Sequence, residues 1–349
     1  MSIPYRTKRV LNRVGTLVVF LITVTVVFWL CWVIWLQRYV VYTDEGAKLD
    51  FSQSSYDMVG EVAKPPVAEA NVSIFYNEGA DAIDTTREMA QINGYYITSD
   101  MFKNDFDNVM LQIERLSSDT AIMIDMKGPY GSFFYGSKLA DATISASTNI
   151  QQVEQLVARL HSKGFYTIAR ISAFRDREFG DKHVTSGLYM LNRAGLWMDE
   201  GGMFWLDPTN ATTTSWIASV VLELKSLGFD EVVLDDFCFP DSNAYIFNGD
   251  KAAALQTAAA TLMSACNSED FVLSFCVSDA TFPLPEGRSR LYLRNVSAAA
   301  IGNYVAQTTF DNKEIRLVFL SETGDTRYDA YSVLRSLEVA EEVEARKAG

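Results

Sequence analysis

The sequence predicts an α/β protein built as a (β/α)8 barrel of the TIM type, preceded by one N-terminal transmembrane helix. Beyond residue 70, short β-branched or aromatic runs alternate with amphipathic helical stretches, a pattern typical of a parallel sheet covered by helices. About eight such runs share roughly 270 residues, which is the size of a closed barrel. Residues 15–36 form an uncharged apolar run long enough to cross a bilayer as a helix.

The predicted strands are short and follow one another along the chain. They are VSIFYN (72–77), GYYITS (94–99), AIMIDMK (121–127), YTIARIS (166–172), EVVLDDF (231–237), FVLSFCV (271–277), YVAQTTF (304–310) and IRLVFLS (315–321). The first two runs and the last two leave too little room between them for a full crossover helix. The two ends of the domain therefore predict an irregular barrel, or one that is a strand short.

The predicted helices end at recognisable positions. In LVARLHSKGFYTIARIS and VLELKSLGFDEVVLDDF, a helix stops at Gly164 or Gly228, because a residue without Cβ readily adopts the left-handed cap. Residues 328–346 predict a closing helix. No Gly-rich phosphate fingerprint follows any predicted strand, which disfavours the alternative, an open doubly wound sheet that binds dinucleotides or phosphates. In the predicted helix that ends at Gly164, four apolar residues lie on one face, namely Ile150, Val153, Val157 and Leu160.

The N-terminal part predicts a membrane anchor. The expected segments are a basic cytoplasmic tail (1–14), a transmembrane helix (15–36), a stalk (37–70) and the barrel domain (71–349). A cleaved signal peptide would have a shorter apolar core and small residues at its cleavage site, whereas this run ends among Trp32, Trp35 and Tyr39. The basic residues before the run place the N-terminus in the cytoplasm and the barrel outside the membrane. We expect a single-pass cell-membrane protein that contacts lipid through residues 15–36.

Composition restricts the partners of the barrel domain. The net charge is −14, and residues 1–38 contain five basic and no acidic residues, so the negative charge lies entirely beyond them. Phosphate binding depends on Lys and Arg, so a nucleic-acid partner is not expected. The chain has two His and four Cys without CxxC or metal-ligand spacing, and the sequence therefore predicts neither a metal site nor a cofactor.

Ionisable residues stand at or after the ends of several predicted strands. They are Asp125, Lys127, Arg170, Asp235, Asp236, Asp279 and Glu322. In a parallel barrel the carboxyl ends of all strands face one mouth, where active sites lie, and these groups would converge there. Successive residues of a strand point to opposite sides, so one of Asp235 and Asp236 should face the mouth while the other braces a loop or helix. Paired carboxylates with a neighbouring cation are typical of glycoside hydrolysis.

Four motifs in order carry a family resemblance: TAIMIDMKGPYG, FYTIARISAFRD, GLWMDEGGMFWLDP and LGFDEVVLDDFCFP. Together, from about Gly94 to Thr309, they resemble the glycosyl hydrolase domain of bacterial membrane and surface proteins, an α-amylase-like TIM-barrel family. The resemblance implies a carbohydrate-metabolising enzyme of the bacterial cell envelope. It makes Asp235 the candidate nucleophile. It also places six residues at the family's polar strand-end and loop positions, namely Asp125, Lys127, Arg170, Asp176, Asp207 and Asp235.

The chain departs from this resemblance at two strands. The family's next strand usually carries an acid, where this chain has Phe275 and Cys276, and YVAQTTF stands where the family has a YxxPMxYP-like strand. Asp279 would replace the missing acid, or else the site is catalytically inactive. Both alternatives stay open at the level of sequence.

The sequence therefore predicts an extracytoplasmic glycoside hydrolase that acts on a polysaccharide or cell-wall glycan. The candidate catalytic groups are Asp235 as nucleophile or base, with Asp279 or Glu322 as acid. The candidate substrate-binding residues are Asp125, Lys127, Arg170, Asp207, Asp236, Trp205 and Phe237. Structural roles are the alternative for several of these, such as a turn at Asp207 and core packing at Trp205. The alternative function is an inactive glycan-binding or envelope scaffold protein.

Overall fold

A computed structural model describes residues 89–266 and 268–348, together with the short pieces 23–26, 28–29, 32, 40–43 and 46–49. The chain divides into two compact units, Met1–Val72 and Ser73–Gly349. In the first unit, Val40–Thr43 and Gly46–Leu49 pair as antiparallel strands. Among the described residues no helix is both long and apolar enough to cross a membrane. Most of the predicted span 15–36, and the predicted strand 72–77, lie outside the described residues.

Eight parallel strands form a closed barrel in the second unit. They are β1 Asn93–Ile97, β2 Ala121–Lys127, β3 Tyr166–Ser172, β4 Glu231–Asp235, β5 Val272–Cys276, β6 Leu291–Leu293, β7 Leu317–Ser321 and β8 Ser332–Ser336. Each strand pairs with the next, and β1 pairs with both β2 and β8, which closes the sheet on itself. The predicted barrel is therefore confirmed, and its eight strands are complete.

Helices cover the outside of the barrel between the strands. They are α1 Ser99–Asn104, α2 Phe106–Arg115, α3 Ile150–Lys163, α4 Arg177–Lys182, α5 Ala211–Ser226, α6 Lys251–Cys266, α7 Ile301–Gln307, α8 Lys313–Arg316 and α9 Ala340–Ala348. Single 3-10 turns occur at Val184–Ser186, Thr326–Tyr328 and Leu337–Val339. The unit is regular from β2 to β5, where a long helix precedes each next strand, whereas no helix of the described chain separates β5 from β6.

The boundaries of α3 illustrate how local sequence sets the helices. Asn149 caps its first turn, since its side chain accepts a hydrogen bond from the backbone N–H of Gln152. Gly164 ends it with φ 75°, and Gly228 adopts φ 91° at the equivalent joint before β4, as predicted. The buried face of α3 consists of Val153, Leu156 and Leu160.

Two predictions near the C-terminus, one of a strand and one of a helix, are wrong. YVAQTTF is not a strand, because Ile301–Gln307 form α7. The strand of that region is the three-residue β6, which is too short to show an alternating pattern. The predicted closing helix 328–346 contains β8 instead, and only its last part, from Ala340, is α-helical. All five residues of β8 are buried, because a strand of a closed barrel is covered on both faces.

Two additional strand pairs extend the loops at the carboxyl ends of the strands. Ser132–Phe133 pairs with β2 and with Thr143–Ile144 in the loop between β2 and α3. Tyr189–Met190 pairs antiparallel with Tyr245–Ile246, which ties the loop after β3 to the loop after β4. These pairings hold the long loops in place beside the barrel mouth.

The inside of the barrel is apolar in the middle and polar at its amino end. Met123, Ile168, Val233 and Leu334 belong to the inner apolar cluster. Beside it lies a buried set of polar side chains that we call the floor cluster, consisting of Tyr166, Glu231, Ser274, Arg290 and Tyr292. The carboxylate of Glu231 pairs with the guanidinium of Arg290 and accepts hydrogen bonds from Tyr166, Ser274 and Tyr292. Every oxygen of this buried acid is therefore satisfied.

Candidate active site at the carboxyl end of the barrel

Four charged side chains, three from strand ends and one just after β6, meet at the carboxyl end of the barrel. We call Asp125, Arg170, Asp235 and Arg294 the mouth cluster. Nε of Arg170 lies 2.5 Å from Oδ1 of Asp125, and its Nη1 lies 4.0 Å from Oδ2 of Asp235. Nη1 of Arg294 donates to the same oxygen of Asp235 at 3.1 Å. The predicted convergence of strand ends therefore exists for Asp125, Arg170 and Asp235.

Strand alternation explains why these side chains face one space. Met123, Ile168, Val233 and Tyr292 all belong to the apolar cluster inside the barrel. Side chains two residues apart on a strand lie on the same face. The residues two positions further along the chain are those of the mouth cluster, Asp125, Arg170, Asp235 and Arg294.

The mouth cluster is only partly shielded from solvent. The side chain of Asp235 is 10% exposed, whereas that of Arg294 is 43% exposed. Asp125 is further held by the backbone N–H of Ser99, which donates to its Oδ2 at 2.9 Å. The carboxylate of Asp235 is thus nearly buried, and the long cationic side chain of Arg294 lies at its exposed side.

The environment of Asp235 favours the protonated carboxyl group more than that of an exposed aspartate does. Burial raises its pKa, and so does the nearby charge of Asp236, while Arg294 and Arg170 act in the opposite direction. Cys276 lies beside it at the end of β5. Burial and the charge of Asp235 raise the pKa of the Cys276 thiol well above its ordinary value, so this side chain remains a neutral thiol.

Asp236 has a bracing role, in agreement with the alternation of strand residues. Its φ of 50° marks the turn that ends β4, and its N–H donates to Oδ1 of Asp235 at 2.9 Å. Its own carboxylate accepts from Oγ of Ser172 at 2.7 Å and lies 3.5 Å from Nη2 of Arg294. Asp236 therefore fixes the position of Asp235 and contacts the exposed side of the cluster.

Glu322 and Tyr96 extend the site on the far side of the mouth. Glu322 is exposed and directly follows β7. Burial raises the pKa of Tyr96, and the charge of Glu322 raises it further, which reflects the proximity of the two side chains. The Tyr96 ring centroid lies 5.9 Å from Cζ of Arg170. Tyr96 therefore contacts Arg170 of the mouth cluster and feels the charge of Glu322.

Arg294 and Tyr96 were missed by the sequence interpretation. Arg294 follows a strand of three residues, Leu291–Leu293, which gives almost no periodic signal. Tyr96 lies in a run that was correctly predicted as a strand, and alternation from Gly94 would have placed it on the inner face.

Lys127 does not line the mouth, contrary to its prediction as a substrate contact. Its Nζ lies 2.8 Å from Oδ2 of Asp176 and donates to the carbonyl of Ser172 at 2.8 Å, and both charged side chains are buried. The pairing of β2 with β3 shifts register between Asp125 and Lys127, which breaks the simple alternation. Asp176 also caps α4 and accepts from Trp216, so this pair holds the barrel wall together.

The two aromatic side chains predicted to bind sugar are buried. Phe237 is fully covered and packs between Phe174 and Phe275, with centroid distances of 4.7 and 4.9 Å. Trp205 is buried, and its Nε1 donates to Oδ2 of Asp199 at 2.9 Å. Neither ring therefore presents a face to a sugar.

The side chains of Asp207 and Asp279 accept hydrogen bonds within their own turns. Oδ1 of Asp207 accepts from the N–H and Oγ1 of Thr209, just before α5. Oδ1 of Asp279 accepts from the same two groups of Thr281, in the exposed loop after β5. Within the described part of the chain, neither carboxylate has a hydrogen bond or ion pair to the mouth cluster. The same part contains no group of three His, Cys, Asp or Glu arranged to hold a metal ion.

The chain is similar to several proteins of solved structure. A hypothetical protein from Ruminiclostridium thermocellum is 22% identical, with 52% of this chain and 96% of that chain covered and a TM-score of 0.45. An α-galactosidase from Lactobacillus brevis is 12% identical, with 74% of this chain and 40% of that chain covered and a TM-score of 0.47. The glycoside hydrolase domain of PelA from Pseudomonas aeruginosa is 14% identical, with 72% of this chain and 96% of that chain covered and a TM-score of 0.43. The chain thus spans less than half the length of the α-galactosidase.

No curated protein shows a significant similarity to the chain. A family model described as “Putative glycosyl hydrolase domain” matches residues 94–277, the segment from β1 to the end of β5 that supplies Asp125, Arg170 and Asp235. This match covers more than half of the chain. The chain therefore belongs to this glycosyl hydrolase domain family.

Proposed function

We propose that the protein hydrolyses O-glycosyl bonds of a polysaccharide or cell-wall glycan at the mouth cluster. One observation carries the proposal: Asp235 projects into the carboxyl-end mouth of a closed barrel, between the guanidinium groups of Arg170 and Arg294. Active sites of such barrels lie at this end. Membership of the glycosyl hydrolase domain family supports the reaction class.

In the proposed reaction Asp235 works in its ionised form. It either attacks the anomeric carbon or takes a proton from the attacking water, the two roles that a carboxylate has in glycoside hydrolysis. Arg294 and Arg170 favour this ionised form, since both act to lower the pKa that burial raises. Asp125 holds Arg170 in place through its contact with Nε. The arrangement keeps one nearly buried carboxylate in a defined position at the mouth.

The second carboxyl group of the proposed reaction donates a proton to the leaving oxygen. Glu322 is the better placed candidate because it stands next to Tyr96 at the mouth. Asp279 is the alternative, although one of its oxygens already accepts two hydrogen bonds from Thr281. Separate Glu322→Gln and Asp279→Asn variants distinguish the two candidate acids. Loss of the true acid should slow hydrolysis most for substrates with poor leaving groups, because these need the proton.

The test is the release of reducing ends from a panel of plant, fungal and bacterial polysaccharides by the full-length protein in detergent. Asp235→Asn should lower the release at least about 100-fold, the scale of acid–base and nucleophilic contributions. Asp107→Asn is the matched control, because Asp107 is exposed on α2 and does not belong to the mouth cluster. Full activity of Asp235→Asn would exclude the proposed role.

We also propose that residues 15–36 anchor the protein in a bacterial cell membrane, with the barrel on the extracytoplasmic side. The apolar run and the basic residues before it support this topology. In spheroplasts that express the full chain, protease added outside should digest the barrel but leave the basic tail protected. Protection of the barrel would contradict the proposed orientation.

A second candidate function is a glycan-binding envelope scaffold without catalysis. It is favoured by β5, which carries Phe275 and the neutral thiol of Cys276 where the family resemblance places an acid. In that case the parent protein and Asp235→Asn would retain the same glycans equally, and neither would release reducing ends.

A further inference from the structure

A cavity beside the mouth lies between the loop after β7 and the start of the C-terminal helix. Its volume is about 500 Å³, within the range of roughly 300–1,000 Å³ of small-molecule sites. Thr323 and Thr326 line one side, and Val339, Glu342 and Arg346 line the other. The cavity therefore offers hydroxyl, carboxylate and guanidinium groups together with one apolar wall.

Glu322 belongs to both the cavity and the mouth. It lines the cavity, and its charge also acts on Tyr96, which lies against Arg170. Among the described residues it forms no ion pair. Glu322 directly follows the carboxyl end of β7, so the cavity opens beside the mouth, and its lining holds a carboxylate that is open to a new hydrogen-bond donor.

The walls of the cavity are fixed before any ligand arrives. Nη1 of Arg346 donates to the carbonyl of Gly324, and its Nη2 pairs with Glu342. Asp325 pairs with Arg327, and the carbonyl of Asp325 accepts from Arg335 at 3.0 Å. A preformed wall lowers the entropic cost of binding.

The charges in the cavity decide what kind of group it suits. The loops after the last two strands of such barrels often bind phosphate, next to a helix N-terminus. Here Asp325 is paired with Arg327 and Glu342 with Arg346, so the carboxylate of Glu322 is the lining charge without an ion pair among the described residues. This negative charge disfavours a phosphate or uronate group, whereas a hydroxyl of a neutral sugar can donate to it.

We propose that this cavity binds an uncharged sugar unit of the glycan chain whose scissile bond lies at the mouth cluster. The inference rests on the proposed function for the identity of the glycan, but it concerns binding and is tested without turnover. It makes the substrate an oligosaccharide or polymer, because a single sugar cannot fill both the mouth and the cavity.

The test uses Thr326→Trp, which fills the cavity. Thr326 is exposed, and its side chain makes no described hydrogen bond, so the indole removes space without removing a contact. Thr212→Trp on the exposed side of α5 is the matched control. Both changes are made in full-length Asp235→Asn protein in detergent. Binding is measured to cellohexaose, maltohexaose, a chitin hexamer, a galacturonan hexamer and inorganic phosphate, and thermal unfolding checks that each variant is folded.

The expected result is binding of a neutral hexamer whose Kd rises at least about tenfold in Thr326→Trp and stays unchanged in Thr212→Trp. An unchanged Kd in Thr326→Trp overturns the subsite, even if the parent protein hydrolyses the glycan. Binding of galacturonan or phosphate that depends on Thr326, or no binding of any neutral hexamer, overturns it as well. If the parent protein hydrolyses none of the glycans, but binding of a neutral hexamer still depends on Thr326, the proposed function alone is contradicted.

Discussion

The floor cluster and the mouth cluster lie at opposite ends of one barrel and contain the same kinds of charged side chain. Each places a carboxylate of β4 beside an arginine that belongs to the β6 segment: Glu231 with Arg290 at the floor, and Asp235 with Arg294 at the mouth. At the floor both side chains are almost completely buried. At the mouth the arginine is nearly half exposed.

The difference lies in how completely the charges are satisfied. Glu231 accepts from two tyrosines and a serine besides Arg290, and Arg290 also donates to the carbonyls of Ala90 and Ile315. A buried pair that is this well paired is inert and serves the fold. Asp235 has fewer partners and a raised pKa, and its exposed arginine can exchange a protein contact for a ligand contact.

The largest expected effect is on stability at the floor. Glu231→Gln leaves the guanidinium of Arg290 buried without its counter-charge, so the free energy of unfolding should fall by about 3–5 kcal/mol. Urea unfolding of the full-length protein, followed by circular dichroism, measures the change. The control is Glu341→Gln, which breaks an exposed pair with Arg115 and should have little effect.

A double variant sharpens the same comparison. Glu231→Met combined with Arg290→Met replaces the buried pair by apolar side chains of similar length. It should recover much of the stability that Glu231→Gln loses, since the uncompensated charge is removed as well. A double variant that is less stable than Glu231→Gln would show that the hydrogen bonds of the floor, rather than its charge balance, dominate.

At the mouth, the expected effect is on activity and not on stability. Asp235→Asn should reduce kcat by at least about 100-fold while the unfolding midpoint changes little, because the neighbouring Arg294 can turn to solvent. Rates on the glycan identified by the reducing-end assay and thermal melts give both quantities. A loss of stability as large as that of Glu231→Gln would place Asp235 in the same structural class as the floor.

Arg294→Ala should shift the acid side of the activity profile. The guanidinium lowers the pKa of Asp235, so its removal raises this pKa, and the ionised carboxylate appears only at higher pH. We expect the acid limb of the pH–rate profile to move to higher pH. Arg294→Lys should shift the limb less. An unchanged limb would mean that Asp235 does not set it.

The smallest expected effect is on the pH dependence of stability. The folded protein holds the proton of Asp235 more tightly than the unfolded chain, because its pKa is raised above the ordinary value of 3.8. This stabilisation is fully present below pH 3.8 and is lost as the pH rises through the folded pKa. The parent should therefore lose stability relative to Asp235→Asn as the pH increases over this interval. The opposite slope would show that the two arginines outweigh burial.

Most of the barrel was predictable from sequence because its strands carry strong local signals. β2, β3 and β5 are continuous apolar runs bounded by turns, and their limits agree with the prediction within one residue. β6 and β8 were missed for different reasons. β6 has only three residues, and β8 lies in a stretch whose composition favours a helix, so that only closure of the barrel against β1 makes it a strand.

The site was predictable where it depends on strand alternation alone. This rule brought Asp125, Arg170 and Asp235 together and separated Asp236 from them. It failed for Lys127, because a register shift between β2 and β3 is a property of the pairing and not of either strand. Phe237 and Trp205 were misplaced because their burial depends on contacts between segments far apart in the chain, such as that of Phe237 with Phe174 and Phe275.

The most direct test is the structure of the full-length Asp235→Asn protein with a glycan that the parent hydrolyses. We expect a sugar ring at the mouth, with its scissile oxygen within hydrogen-bond distance of position 235 or of Glu322, and Arg294 displaced from its present contact. A glycan bound elsewhere on the barrel, with the side chains of Arg170 and Arg294 still closed on position 235, would contradict the account.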